Sequence, residues 1–596
     1  MIASMIMLTA GLSLNGHLPP LIPWQGQSEQ LMQTTGPLTT DFELSEGERS
    51  PNYQQTVAFV ERLVAANPTQ FRARDIGFSQ SGRAIKMLVA SEQSQFSAAM
   101  LKNNNKPTLL IQAGIHAGEI DGKDAAFMML RDIALGKRRD LLSKVNILFI
   151  PILNVDGHER SSQYNRINQR GPTDMGFRTN ANNLNLNRDF TKLDTPEVRA
   201  VLKVINEYQP DLYLDVHVTD GADYQYDITY GFTPSFASES PAIAQVLETK
   251  IKPTIDTALA KQGHIPGPLV FAMDKRDFKK GIAGWVASPR FSNGWGDLAA
   301  VPTILVENHS LKPYKQRVLG TYILYDGLIS ALSEHYIELE KAVIKEQKHL
   351  PQQLVVKRSY AKQPDLISFK GVAYKHFKSA ISGQTEAKYL GKPQQYDALP
   401  IYWQKEVAVK VDVPDKFYIP PAYPDIVKKL TIQGIKVTKL DETYSKSEAL
   451  KQASITNYTF AKQPFEGRFR VDATFNFDVK NSVDLTGWYE VATAQAKGEL
   501  ATHLLHPQAP DSFFSWGEFN TIFQRTEYVE NYALEPFARS MLKENPAMAL
   551  EFDRKIREDK EFASDPAARM DWLYAQTPYY DQAYLKYPIL MSFKEK

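Results

Sequence analysis

Along residues 52–67 the apolar side chains fall at Val57, Phe59, Val60, Leu63 and Val64, a spacing that predicts a helix with one buried face. The pattern then switches to short runs. Residues 83–91 (RAIKMLVAS) and 107–113 (PTLLIQA) predict strands, the second of them buried, and 145–153 (VNILFIPIL) predicts another buried strand. Helical spacing returns over 121–135 and over 196–208, which leads into a strand at 212–216. A last strand at 303–306 precedes a helix near 322–339. Strands that are apolar on both faces and alternate with helices need cover on both sides. The expectation is an α/β domain over 45–345, with a mixed, largely parallel sheet and helices on both faces.

The texture changes near Leu350. Residues 350–596 are rich in Lys and Gln around short alternating runs such as 469–479 (FRVDATFNFDV), and after Leu500 the signal is helical and charged, most clearly over 542–562. This stretch reads as one or two accessory domains with strands and helices. At the other end, residues 17–50 are rich in Pro, Gly and Thr and read as a lead-in. Residues 1–20 begin with an apolar run of signal-peptide length, although no Lys or Arg precedes it. A signal segment there implies a periplasmic or secreted protein; without one, the cytoplasm is the alternative.

Composition narrows the chemistry. The 596 residues carry a formal net charge of +1, so no global field steers the chain onto nucleic acid or an anionic membrane. No later run reaches the roughly 20 apolar residues of a membrane span. There is no cysteine, which excludes disulfides, thiolate metal sites and cysteine nucleophiles. Any metal must be held by His, Asp or Glu. Oligomeric state is not legible in the chain.

Three residues at strand ends suit a metal. His116 and Glu119 (GIHAGEIDG) follow the strand at 107–113, and His217 ends the one in LYLDVHVTDG. Sites in open α/β sheets form at the carboxyl ends of strands, so these segments can converge, and two His with one Glu make a catalytic zinc set. Each residue alone has a plainer reading as a hydrogen-bonded turn or core group; the shared placement at strand ends argues against it. Glu307, in TILVENHS, sits at another such end, where a carboxylate can move a proton. Asn187 and Arg188, in NLNLNRDF, offer an amide and a guanidinium fork suited to a carboxylate.

In this order the motifs resemble the zinc carboxypeptidases of the carboxypeptidase A type, over roughly residues 59–339. They are the His-x-x-Glu of GIHAGE, the turn NVDGHER, the Asn-Arg of LNLNRDF, the His of YLDVHVTDG and the Glu of LVENHS. Within that family the chain looks closest to bacterial carboxypeptidase-like proteins with a long C-terminal extension. The resemblance implies one Zn²⁺ per chain on His116, Glu119 and His217, with Glu307 as general base and acid. It implies that Asn187 and Arg188 grip the terminal carboxylate of a peptide or protein substrate. It also implies an arginine for the carbonyl oxyanion, for which spacing favours Arg170 and leaves Arg166 as its rival. The chain departs from the family in carrying Asn185 where an Asp is common two residues before Asn-Arg. The loop before Glu307 (GWVASPRFSNGWGD) offers only Trp285, Arg290 and Trp295 in place of the family's tyrosine.

The expected activity is hydrolysis of C-terminal peptide bonds by a metal-activated water. Two alternatives stand beside it: an amide hydrolase on the same scaffold acting on peptidoglycan peptides or N-acyl amino acids, and a catalytically inactive peptide-binding module.

Overall fold

The computed structural model describes residues 16–219, 221–441 and 449–594, so most of the signal-like segment lies outside the described residues. Nine strands precede residue 310: β1 (Phe71–Phe78), β2 (Ala84–Ala90), β3 (Thr108–Ala113), β4 (Asn146–Ile150), β5 (Leu212–Val218), β6 (Ile228–Gly231), β7 (Pro266–Gly267), β8 (Ile282–Gly284) and β9 (Thr303–Asn308). All but β8 form one sheet, ordered β1-β2-β4-β3-β5-β9-β6-β7. The pairings of β3 with β4, β3 with β5 and β5 with β9 are parallel, and the β1, β2 edge is antiparallel. β3, β4 and β5 are buried at every residue, which is why they read as unbroken apolar runs. β1 (FRARDIGF) is half-exposed and carries charges, and its pattern gave no signal in the sequence.

Helices α1 (Tyr53–Ala66), α2 (Asp121–Ala134), α3 (Pro196–Tyr208) and α4 (Tyr314–Gln347) cover this sheet. α1 packs on α2 and β1, α2 packs on α4, and α3 packs on β1. α4 is longer than its apolar pattern suggests: it starts directly after Pro313 and runs 34 residues, with its first half almost wholly buried. Asn52 closes a capping box on Gln55 at the start of α1, satisfying two otherwise orphaned amide groups.

The region beyond 350 holds longer strands than its sequence pattern predicts. β10 (Gln353–Ser359) pairs with β13 (Glu406–Asp412), and β11 (Asp365–Lys378) and β12 (Thr385–Trp403) form a long hairpin. β12 also pairs in parallel with β8, so this hairpin extends a loop of the first domain. A six-stranded sheet follows, from β14 (Lys416–Ile419), β15 (Thr438–Lys439), β16 (Leu450–Phe460), β17 (Val471–Lys480), β18 (Tyr489–Ala492) and β19 (Lys586–Ser592), with helix α5 (Pro424–Gln433) beside it. Residues 542–562 are not one helix: Asn545 and Asp559 cap new helices, and Pro546 takes a first-turn position where its missing N–H costs nothing. Among the described residues no helix is long and apolar enough to cross a membrane.

Candidate metal centre

The strand ends converge. His116 and Glu119 lie on the turn between β3 and α2, and His217 is the penultimate residue of β5, the parallel neighbour of β3. All three are buried, and one ligand atom from each lies within 4.8 Å of the others. His116 Nδ1 is 3.1 Å from Glu119 Oε2, and His217 Nδ1 is 3.0 Å from the same oxygen and 3.2 Å from His116 Nδ1.

The far sides of both rings fix their tautomers. His116 Nε2 is 2.9 Å from Asn185 Oδ1, an oxygen that also accepts the Asn187 backbone N–H at 3.0 Å. His217 Nε2 is 2.9 Å from Asp215 Oδ2, which accepts the Ser292 hydroxyl too, while Asp215 Oδ1 accepts from Gln112 at 2.8 Å. Both Nε2 atoms therefore donate, and each ring turns an Nδ1 lone pair toward the other and toward a carboxylate oxygen. Three electron-rich atoms meeting in a buried site require a positive charge between them. A proton on His217 supplies one: burial opposes its charge, but the Asp215 and Glu119 carboxylates override that and hold its pKa well above the ordinary value. His116 is pushed down to about 4 by burial, against the pull of Glu119. A metal ion is the other cation that fits, since neutral imidazoles and a carboxylate are its usual ligands.

The remaining Glu119 oxygen is not idle. Arg166 Nη1 lies 2.8 Å and Arg178 Nη1 3.1 Å from Oε1. Burial works against the carboxylate charge, but His116 and Arg166 carry its pKa well below the ordinary range. Glu307 stands opposite His217 in the β5–β9 register, which places the two side chains at one edge of the sheet.

A cavity of about 290 Å³ opens over these groups, lined by His116, Glu119, Arg178, Asn187, Arg188 and Glu307 and walled by Phe271, Trp285 and Phe291. Asn187 is anchored through Oδ1, which accepts Ser292 N–H at 2.9 Å. Arg188 stacks its guanidinium on Phe291 at 4.1 Å and donates to the Asn187 carbonyl. Burial and the nearby Arg178 lower its pKa to about 10, so it stays charged at neutral pH. Trp285 meets Phe271 and Phe291 edge-on at 5.1 and 4.9 Å.

Two expectations need correction. Arg170 does not line the cavity: its guanidinium donates to the Pro19 carbonyl, and its own carbonyl accepts from Arg317. Besides Arg188, the arginine that lines the cavity is Arg178, nine residues before Asn187 in GFRTNANNLNLNR; its closeness to Asn187 was the available signal, and spacing alone passed over it. Of the loop residues, Trp285 lines the cavity, whereas Trp295 is buried and donates to Gln433, and Arg290 pairs with Asp511. Asp215, Phe271 and Phe291 went unsingled in the sequence because an acid inside a strand and scattered aromatics read equally well as core.

Residues 56–272 match the family model described as zinc carboxypeptidase. Carboxypeptidase 2 of Trichophyton tonsurans is 22% identical over 499 residues, covering 81% of this chain and 87% of that protein. Carboxypeptidase D of Mus musculus is 26% identical over 188 residues, 30% of this chain and 13% of that one. Among solved structures, carboxypeptidase A from Helicoverpa armigera aligns with 18% identity and a TM-score of 0.37, covering 48% of this chain and 74% of that one.

Proposed function

We propose that this chain, which belongs to the zinc carboxypeptidase family and is a metallopeptidase, removes C-terminal residues from peptides at the His116–Glu119–His217 centre. The observation that carries the reading is the pair of inward-facing Nδ1 lone pairs beside Glu119, within one cavity that also holds Arg178, Asn187, Arg188 and Glu307. Zinc suits the two imidazoles and one carboxylate, and when bound it supplies Lewis acidity toward water and a carbonyl.

The chain's own residues would do the rest. Asn187 and Arg188 receive the substrate's terminal carboxylate, the guanidinium already flattened on Phe291 and so pre-aimed. Phe271, Trp285 and Phe291 wall the space for the terminal side chain. Arg178 faces the position where negative charge develops on the scissile carbonyl oxygen, a role that its place beside Glu119 supports better than that of Arg170. Arg166, paired to Glu119, holds that ligand. Glu307 takes a proton from the attacking water and returns it to the leaving amine. The apolar first residues support export from the cytoplasm, which N-terminal sequencing of the native protein would test.

Glu307→Gln tests the reading. A proton shuttle contributes little to metal affinity, so kcat should fall about 10²–10⁴-fold with zinc content and melting temperature preserved. Normal kcat with full zinc would remove Glu307 from the mechanism, and a variant without zinc would make it a ligand.

A further inference from the structure

The two ligand histidines are backed unequally. His217 leans on a carboxylate, Asp215, whereas His116 leans on a neutral amide, Asn185. Yet a carboxylate is bound to the backbone of that same residue. Glu466 Oε2 accepts the backbone N–H of Asn185 at 2.8 Å, across a sequence separation of 281 residues.

The element that brings it there is a two-residue turn between β16 and β17. Phe465 and Arg468 exchange backbone hydrogen bonds of 2.9 and 3.1 Å, and Glu466 and Gly467 have φ of 50° and 77°. Both central residues are left-handed, the geometry of a tight hairpin turn in which Gly, Asn or Asp usually sits. Glutamate in the first of these positions is unfavourable, and such strain persists where surrounding contacts impose it. Here they do: Arg468 grips Asp194 through Nε and Nη2 at 2.9 and 2.6 Å, and Phe465 stacks on Trp516. The turn is thereby clamped to residues 185–194, the segment that carries Asn185, Asn187 and Arg188. Among the negative groups acting on Arg188, Glu466 comes ahead of Glu307.

We infer that Glu466 is a positioning residue for the metal centre: the accessory region lends its carboxylate to Asn185, fixing the amide that orients His116 and restoring behind it the negative charge that His217 has from Asp215. A hydrogen bond to the Asn185 backbone holds the residue whose Oδ1 faces His116 Nε2. Such support raises ligand basicity and limits the freedom of the imidazole. The inference rests on the reading of His116, Glu119 and His217 as a zinc site.

The test measures Zn²⁺ affinity by chelator competition on the full chain, which needs no substrate, alongside kcat and KM at saturating zinc. Glu466→Ala should weaken zinc binding about tenfold, the low end of what removing a group behind a ligand costs. Glu466→Gln, which keeps an acceptor oxygen but not the charge, should lose less. Asn185→Asp should restore affinity in the Glu466→Ala background, where it supplies the missing charge directly. In the wild-type background it should not improve affinity, because Glu466 already supplies that charge. Unchanged zinc affinity in Glu466→Ala, or no rescue by Asn185→Asp, would overturn the assignment. Failure of the wild-type chain to bind zinc would instead sink the reading of the site itself.

Discussion

The proposed ligand side of the pocket and its proposed substrate side are secured in different ways. His217 and Glu307 sit on strands, His116 and Glu119 follow one directly, and Asp215 and Gln112 behind them lie on the central strands of the sheet. Asn187 and Arg188 lie on a single short 3-10 turn, Leu186–Arg188, and the aromatic wall lies on loops. That chain is held by residues beyond 350: Gln433 donates to the Phe190 carbonyl at 2.6 Å, Trp516 to Thr191 at 3.0 Å, and Arg468 to Asp194. Asp511 pairs with Arg290, and β12 pairs with β8 just before Trp285. A buried sheet fixes its side chains by its own packing, whereas an irregular segment needs partners to hold one conformation. The accessory region is thus part of the pocket's frame.

Variants on the ligand side should fail hardest. His217→Ala should lose most of the zinc together with nearly all activity; a variant with full zinc occupancy would show that His217 is not a ligand. Arg178→Ala should leave zinc bound and lower kcat about 10²–10³-fold, the usual cost of one oxyanion donor. If Arg170→Ala did that and Arg178→Ala did not, the assignment would reverse. Changes in the clamp should be milder and of another kind. Trp516→Phe keeps an aromatic ring but loses the indole N–H and orphans Thr191 Oγ1, costing about 1–3 kcal/mol of stability before the lost volume is counted. It should raise KM several-fold and lower zinc affinity less than Glu466→Ala does, since Glu466 stays in place; a loss of zinc affinity as large as the rise in KM would blur the distinction between the two sides.

The smallest effect concerns pH at the contact between the regions. Burial, with the charges of Glu239, Glu346 and Asp297 added, raises Glu499 to about 8; burial and the charge of Asp297 raise Glu239 to about 7. A carboxyl whose folded pKa is raised contributes its full stability below its ordinary pKa and loses it as pH climbs through the folded value. The chain should therefore weaken as pH rises from about 4.5 to about 8. Glu499→Gln should flatten that dependence, giving a melting temperature above wild type at about pH 8 and near it at about pH 4; parallel curves would contradict it.

The division also governs what the sequence reveals. Buried strands such as β3, β4 and β5 announce themselves by composition, and His116, Glu119, His217 and Glu307 could be located because each follows or ends such a strand. Arg178 escaped because it sits on chain with no regular period, where spacing is a poor ruler. Glu466 was invisible for a stronger reason: its partner is 281 residues away, and a lone Glu in AKQPFEGRFR has the texture of a surface turn. β11 and β12 were missed because Lys- and Gln-rich strands that expose much of their surface lack an apolar run.

The most direct test of the central claim uses one peptide in two forms, with a free or an amidated C-terminus, incubated with zinc-loaded protein and followed by mass spectrometry. The account predicts stepwise loss of residues from the free form and little from the amide, because Arg188 and Asn187 need a carboxylate to grip. It also predicts that Arg188→Lys sharply slows the first reaction, since a point charge cannot reproduce the fork. Equal cleavage of both forms would contradict it.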